Sequence, residues 1–314
     1  MKASPQGLVW ISEADVISVM NIAVAIEALE NGLTAEAHGE ATNMLKTHAA
    51  WNASTLHAIG AVFPKMGFAG TKTWAHTSQG ASPLLILFDS ANGAVRAVIE
   101  AFYLGKMRTA AASGVATRRL AHVDADDLAI IGTGKQAFSQ VAAVAAVRPL
   151  RRIRVFSPNA EHRMAFAENL KKEFAAEVVV AAGVAEAVQG ASIITTVTRT
   201  KDPFLQSGMI ERGAHINAVG AILPGRAELM PDVVPRCTQI VCDSPTQAQK
   251  LSTELIDHFK SDPHEWNRVR GLAELVVTNQ ERRNADDLTL LKLLGAGVLD
   301  LSVGIEVFQR VRKL

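Results

Sequence analysis

Arg108 and Lys72 are the side chains of this sequence best suited to fixing an anion. A guanidinium grips a carboxylate through two parallel hydrogen bonds, and a lysine adds a point charge beside it. Arg108 stands in Gly105-Lys-Met-Arg-Thr-Ala-Ala-Ala-Ser113, which reads as the opening of an alanine-rich helix over 110–120. The helix macrodipole disfavours a cation at that end, so its place is explained when an anionic ligand shares the helix end. Lys72 follows Gly70 in an apolar strand pattern. By itself a strand lysine points to solvent as readily as into a site. Burial beside Arg108 would lower its pKa and let it handle protons.

The second constellation is Ala129-Ile-Ile-Gly132-Thr133-Gly134-Lys135-Gln136-Ala137. An apolar strand, a glycine turn and a helix start fit Gly-x-Gly-x-x-Ala, the pattern of a dinucleotide cradle, with Thr133 and Gln136 inside the turn. Gly132 permits the turn, Gly134 lets backbone approach a pyrophosphate, and Ala137 allows the helix to pack closely on the strand. The helix N-terminus offers unpaired N–H groups to the phosphates. An acid at the tip of the next strand would meet the ribose 2′-hydroxyl. This chain carries Ser157-Pro-Asn159 there, followed by His162 and Arg163. Ser157 and Asn159 suit a plain ribose, whereas Arg163 suits a 2′-phosphate or is a solvated helix-start residue. NAD(H) and NADP(H) therefore both stay open. Thr198 and Asp243, each after an apolar run, are candidates for the same groove, Asp243 equally for a helix cap.

The surrounding elements must position these groups. Ser12 with Asp15 forms a capping pattern before a helix over about 22–38. Short apolar runs at 57–63, 70–74, 84–88 and 94–99 predict a mostly antiparallel or mixed sheet, with Asn92-Gly93 as a hairpin turn. From Asp127 onward, strands at 127–131, 152–156, 178–180, 192–196, 215–219 and 239–242 alternate with helices over about 137–147 and 161–174. That alternation predicts an α/β architecture with a parallel, doubly wound sheet. A closing helix is expected over 288–314. The domains expected are 1–120, completed by about 296–314, and a dinucleotide-binding domain over 121–295.

Composition narrows the class. The 314 residues carry 32 Lys+Arg against 31 Asp+Glu, a net charge of +1, which argues against a nucleic-acid partner. Aromatics are 5% with a single tyrosine, too few for a stacking site. Apolar stretches such as Val141–Val147 fall far short of a membrane span, and Met1–Leu8 lacks a secretory pattern. Cys237 and Cys242 read as buried strand thiols in a reducing, cytoplasmic setting. Asp286-Asp287 reads as a helix start rather than a metal pair, since no His or third carboxylate is spaced to complete one.

Gly70-Thr-Lys72, Arg108-Thr-Ala-Ala-Ala-Ser113, Ile131-Gly-Thr-Gly-Lys-Gln-Ala137, Ile216-Asn-Ala-Val-Gly220 with Pro224-Gly-Arg-Ala-Glu-Leu229, Val241-Cys-Asp243 and Thr289-Leu-Leu-Lys-Leu-Leu-Gly295 occur in one order. Over nearly its whole length the chain resembles the ornithine cyclodeaminase/mu-crystallin family. The resemblance implies a Rossmann domain, a substrate and dimerisation domain built from both chain ends, a homodimer, and nicotinamide chemistry on amino or imino acids in the cleft. It implies that Lys72 and Arg108 hold the substrate carboxylate and that Thr109, Val219, Gly220 and Lys292 line the cofactor site. Leu293 replaces the usual serine beside Lys292. An upstream arginine of the family has no clear match, and Lys46 or His48 stands in for it. Cyclodeaminases carry an aspartate two residues after the glycine matching Gly220, where this chain has Ile222. Without that proton carrier, ring-closing deamination of ornithine is disfavoured. Reduction of a small 2-imino acid, or its reverse as an amino-acid dehydrogenase, is favoured. Lys46, His48, Lys72, His76 and Arg108 together exceed the charge one carboxylate needs. That favours iminosuccinate going to aspartate, ahead of pyrroline-2-carboxylate or pyruvate plus ammonia. His48 and His76 read somewhat better as ordinary surface histidines, and a mu-crystallin-like binding protein without turnover is the remaining alternative.

Overall fold

The computed structural model describes residues 8–278, 282–283 and 285–313. Met1–Leu8, apart from Leu8, and the last residue of the expected closing helix lie outside them. The chain divides into two compact units, one from residues up to Ala111 and from Gly295 onward, the other from Ala112 to Leu294. In chain order the elements are β1 (Val9–Ile11), α1 (Glu13–Val19), α2 (Ile22–Ala37), β2 (Thr42–Trp51), β3 (Ser54–Phe63), β4 (Phe68–His76), β5 (Leu84–Asp89), β6 (Val95–Glu100) and α3 (Phe102–Leu120). The second unit continues with β7 (Asp127–Ile131), α4 (Ala137–Ala145), β8 (Arg152–Phe156), α5 (Ala160–Glu173), β9 (Glu177–Val180), α6 (Val184–Val188), β10 (Ile193–Thr196) and β11 (His215–Ala218). It ends with β12 (Cys237–Cys242), α7 (Pro245–Leu251), α8 (Thr253–Phe259), β13 (Val269–Gly271), α9 (Leu272–Thr278) and β14 (Leu288–Lys292), and α10 (Gly297–Val311) belongs to the first unit.

The first unit holds a six-stranded sheet in the order β1-β6-β5-β4-β3-β2, antiparallel except for β1 beside β6. Ser12 and Asp15 close a reciprocal capping box on α1, as their spacing predicts. Gly93 turns between β5 and β6 at φ +73°, while Asn92 keeps a negative φ and accepts the Ala94 N–H. Helix α10 lies on β3, β4 and β5. It does so closely because a Cβ on Gly297 would stand 1.7 Å from the Gly60 carbonyl oxygen. That approach carries Asp300, one turn further on, over the sheet.

The second unit is an eight-stranded parallel sheet, β13-β12-β14-β11-β10-β7-β8-β9. Strands β9-β8-β7-β10-β11-β14 reproduce the 3-2-1-4-5-6 order of the Rossmann fold. Apolar cores lie on the sheet, one around Ile130, Val141, Val155 and Phe166, another around Ile194, Ile216, Leu290 and Phe259.

Three expectations need correction. Residues 288–292 are a strand, not the start of the closing helix. Every residue of β14 is buried, so the run shows no alternation, and periodicity cannot separate such a strand from a buried helix. Asp286-Asp287 consequently precedes a strand, Asp286 accepting from Gln239 and Thr238 and Asp287 pairing with Arg236. Helix α3 begins at Phe102, eight residues before the expected 110. The two compact units divide within α3, between Ala111 and Ala112. Its second half is tied to the second unit, Thr117 accepting from Asn217 at 3.0 Å and the Leu120 carbonyl from Thr289 at 2.8 Å. Among the described residues no single helix is long and apolar enough to cross a membrane.

His215 is fully buried in this second sheet, between Thr289 Oγ1 at 3.0 Å and Asn217 Oδ1 at 3.1 Å. Burial, with Arg282 nearby, lowers its pKa to about 3. The unfolded chain therefore binds a proton below about pH 6.5 that the fold refuses, and stability falls from there toward pH 3. At pH 5 the cost is about 2 kcal/mol. Urea unfolding at pH 7 and pH 5 is expected to show a larger loss for the wild type than for His215→Gln; equal losses would refute this assignment.

Candidate active site

Two cationic side chains of the first unit, Lys72 and Arg108, meet at the carboxylate of Asp300. Lys72, on β4, is buried, and its Nζ lies 2.5 Å from Asp300 Oδ1. Arg108 approaches the same oxygen through Nε at 3.1 Å, an ion pair without hydrogen-bond geometry. Asp300 is itself completely buried, and its Oδ2 has no hydrogen-bond partner. Burial pushes the Lys72 pKa down to about 8; the Asp300 carboxylate resists that shift and Arg108 adds to it.

Arg108 thus belongs to a charged cluster, but not for the reason its sequence position suggests. With α3 starting at Phe102, Arg108 lies in the second turn, and the helix end is capped instead by Glu13, which accepts from Phe102 and Tyr103 N–H. The anion that explains Arg108 inside the protein is Asp300, 192 residues later in the chain.

Trp74 extends the row. Lys72 Nζ lies 5.2 Å from its ring centroid, and the ring of His57 stacks on it at 4.8 Å. His57 Nε2 meets Thr55 Oγ1 at 2.7 Å, while its Nδ1 is buried without a partner. Burial first, then the charges of Lys46, His48 and His76, lower its pKa to about 4. Lys46, His48 and His76 therefore do gather in one place, around His57, a residue the sequence did not single out. Both His48 and His76 are exposed. Thr109 is buried and donates to the Gly105 carbonyl within α3 at 2.8 Å.

In the second unit the glycine turn follows β7 as its pattern predicts. Gly132 adopts φ +109°, and a Cβ there would stand 2.8 Å from the Val197 carbonyl oxygen. A Cβ at Gly134 would point into open space, the room a pyrophosphate needs beside the backbone N–H groups of the α4 start. Gln136 Oε1 is buried and unpartnered in the same turn, and Ala137 is buried at the first position of α4. Thr133 Oγ1 donates to Ser157 Oγ at 3.0 Å, which joins the turn to the tip of β8. The residues present fit a dinucleotide.

Other cofactor candidates turn out to be engaged within the protein. Asn159 caps α5 through the His162 N–H at 2.8 Å. Arg163 donates to the Ser157 carbonyl at 2.8 Å and lies 5.4 Å from the Phe156 ring centroid. Asp243 accepts the Leu294 N–H at 3.0 Å, so it anchors the end of β14. Lys292 is the clearest correction: it is fully buried and paired with Glu254 at 2.9 Å, which leaves it no surface for a cofactor. Thr198 donates to Glu228, and Val219 and Gly220 follow β11 at the carboxyl edge of the sheet.

A Rossmann sheet, a glycine cradle fitted to a pyrophosphate and a Lys–Arg pair around a buried carboxylate define a nicotinamide-dependent oxidoreductase. The chain belongs to the ornithine cyclodeaminase/mu-crystallin family, whose model matches residues 9–313. It is 31% identical over 229 residues to a Delta(1)-pyrroline-2-carboxylate reductase of Bacillus cereus, spanning 72% of this chain and 70% of that one. Over 236 residues it is 32% identical to the ketimine reductase mu-crystallin of Mus musculus, 74% of this chain and 70% of that one. The solved structure of Thermococcus litoralis Delta(1)-pyrroline-2-carboxylate reductase, in complex with NADH and L-proline, superposes with a TM-score of 0.91 at 26% identity, covering 97% and 98% of the two chains.

Proposed function

We propose that this protein reduces a small 2-imino acid to the L-amino acid with NADH or NADPH, the substrate carboxylate being held by Arg108 and Lys72. The observation that carries the reading is the cluster of buried Lys72 and Asp300 with partly buried Arg108. Two cations and one anion leave one net positive charge, which matches one carboxylate. This balance favours a monocarboxylic imine over iminosuccinate, because Asp300 already neutralises part of the charge that favoured a diacid. A cyclic imine such as pyrroline-2-carboxylate, the substrate named for the Bacillus and Thermococcus relatives, fits best.

The bound dihydronicotinamide supplies the hydride. The chain's own residues orient the imine and manage its proton. A 2-imino acid arrives protonated on nitrogen, so reduction needs no general base at that atom. Lys72, with a pKa of about 8, keeps its charge at neutral pH and still exchanges protons readily. Ile222, in the loop after β11, cannot titrate, which supports reduction over the ring-closing deamination of ornithine. The outer face of the first sheet leaves Trp10, Leu56 and Val62 exposed opposite the face that α10 covers. A second copy of the chain on that face makes the homodimer.

The test is a panel of pyrroline-2-carboxylate, iminosuccinate and pyruvate with ammonia, each with both reduced nucleotides, followed by loss of dihydronicotinamide absorbance. Oxidation with pyrroline-2-carboxylate fastest is expected, from a protein whose mass by light scattering is that of two chains. Proline formed from ornithine without net reduction would replace this reading with a cyclodeaminase. Saturable binding of nucleotide and imine with no turnover would replace it with a carrier.

A further inference from the structure

Glu228 has no role in the reading above, yet few carboxylates of this chain are so heavily engaged. It is completely buried. Its Oε1 accepts from Thr198 N at 2.7 Å and Thr198 Oγ1 at 2.8 Å. Its Oε2 accepts from Thr196 Oγ1 at 2.9 Å, Gly220 N at 2.8 Å and Ala221 N at 3.3 Å. One side chain thereby gathers the end of β10, the loop after it and the loop after β11. Gly220 is part of the fit, since a Cβ there would lie 2.1 Å from the Thr198 carbonyl oxygen and 2.5 Å from Glu228 Oε1.

The support continues behind it. Glu228 N donates to Glu254 Oε1 at 3.0 Å, and the same oxygen receives Lys292 Nζ at 3.1 Å. Lys292 fixes Glu254, Glu254 fixes the main chain at 228, and the Glu228 side chain fixes two loops.

Strands β7 to β9 form one half of the doubly wound sheet and carry the glycine cradle and the strand tip that meets the adenosine ribose. Ligands of such sheets lie beyond the carboxyl ends of the strands, so the ends of β10 and β11 serve the other half of the dinucleotide. We infer that Glu228 is a positioning residue for the nicotinamide half, acting through Thr198 and Gly220–Ala221, with Glu254 and Lys292 as its support. A glutamine cannot replace it. In either orientation its amide nitrogen faces backbone N–H donors that cannot rotate away, whereas a carboxylate accepts from all of them. The inference rests on nicotinamide use and not on the identity of the imine.

The test compares two ligands on wild type and Glu228→Gln: ADP, which spans only the adenosine and pyrophosphate end, and whichever of NADH and NADPH the wild type binds more tightly. Calorimetry is expected to show the reduced nucleotide weakened at least about ten-fold while ADP changes by less than about two-fold. Thr198→Val, which removes one donor from the cluster, decides the matter if Glu228→Gln does not fold; the same split at about three-fold is expected. Equal weakening of both ligands, or of neither, in a variant with native circular dichroism overturns the inference. Wild type that binds nucleotide but reduces no imine overturns the proposed reaction instead.

Discussion

Arg108→Ala is expected to lower kcat/KM for the imine by about 30- to 5,000-fold, the equivalent of about 2–5 kcal/mol for loss of a charge-paired contact. Its fold should survive, because Lys72 and Asp300 remain as a neutral pair at 2.5 Å after the guanidinium is gone. Nucleotide affinity should not change, since the glycine cradle belongs to the other unit. The pH profile adds a second readout. Arg108 helps hold the Lys72 pKa down at about 8, so its removal moves the alkaline limb of kcat/KM upward. Arg108→Lys restores the charge without the two-pronged grip and should recover only part of the activity. Steady-state kinetics with the preferred imine decides the point: turnover equal to wild type would remove Arg108 from the site.

How much of this was legible in the sequence depends on whether each cause is local. The cradle at Gly132–Ala137 was legible because a turn, a strand and a helix start are written in consecutive residues, and φ +109° at Gly132 is a demand only glycine meets easily. Arg108 was legible as a residue without a solvent-side explanation, but its partner was not. Asp300 is one of two acids in a largely apolar helix, and only the close seating of α10 by Gly297 brings it under Lys72. The run at 288–292 reads as helix in the sequence because burial on both faces erases the alternation that identifies a strand. Glu228 and Lys292 failed in opposite directions. The sequence carries Glu228 inside a recognisable segment, yet its five donors come from the end of β10 and from two loops that the fold brings together. Lys292 is implied as a cofactor residue by a segment of the same kind, and only the fold reveals Glu254 beside it.

Asp300→Ala is expected to destabilise the protein by about 3–5 kcal/mol, the cost of leaving one member of a buried ion pair without its partner. The mechanism makes a further demand, because the deficit has to depend on pH. In the wild type the unfolded Lys72 takes up its proton near 10.5 and the folded one near 8, so stability declines as pH falls between those values and is level below. The Asp300 carboxylate is what keeps the folded value as high as about 8. Without it the folded pKa drops further, the decline continues below pH 8, and the gap between variant and wild type widens toward pH 6. Urea unfolding of both proteins at pH 8 and pH 6 measures that gap, and Asp300→Asn, which keeps the shape and removes the charge, should reproduce its pH dependence. Activity must follow the same sign. With less of Lys72 protonated near neutrality, the alkaline limb of kcat/KM shifts to lower pH, opposite to the shift expected for Arg108→Ala. A deficit equal at both pH values, with the limb unmoved, would mean that Asp300 does not set the charge on Lys72.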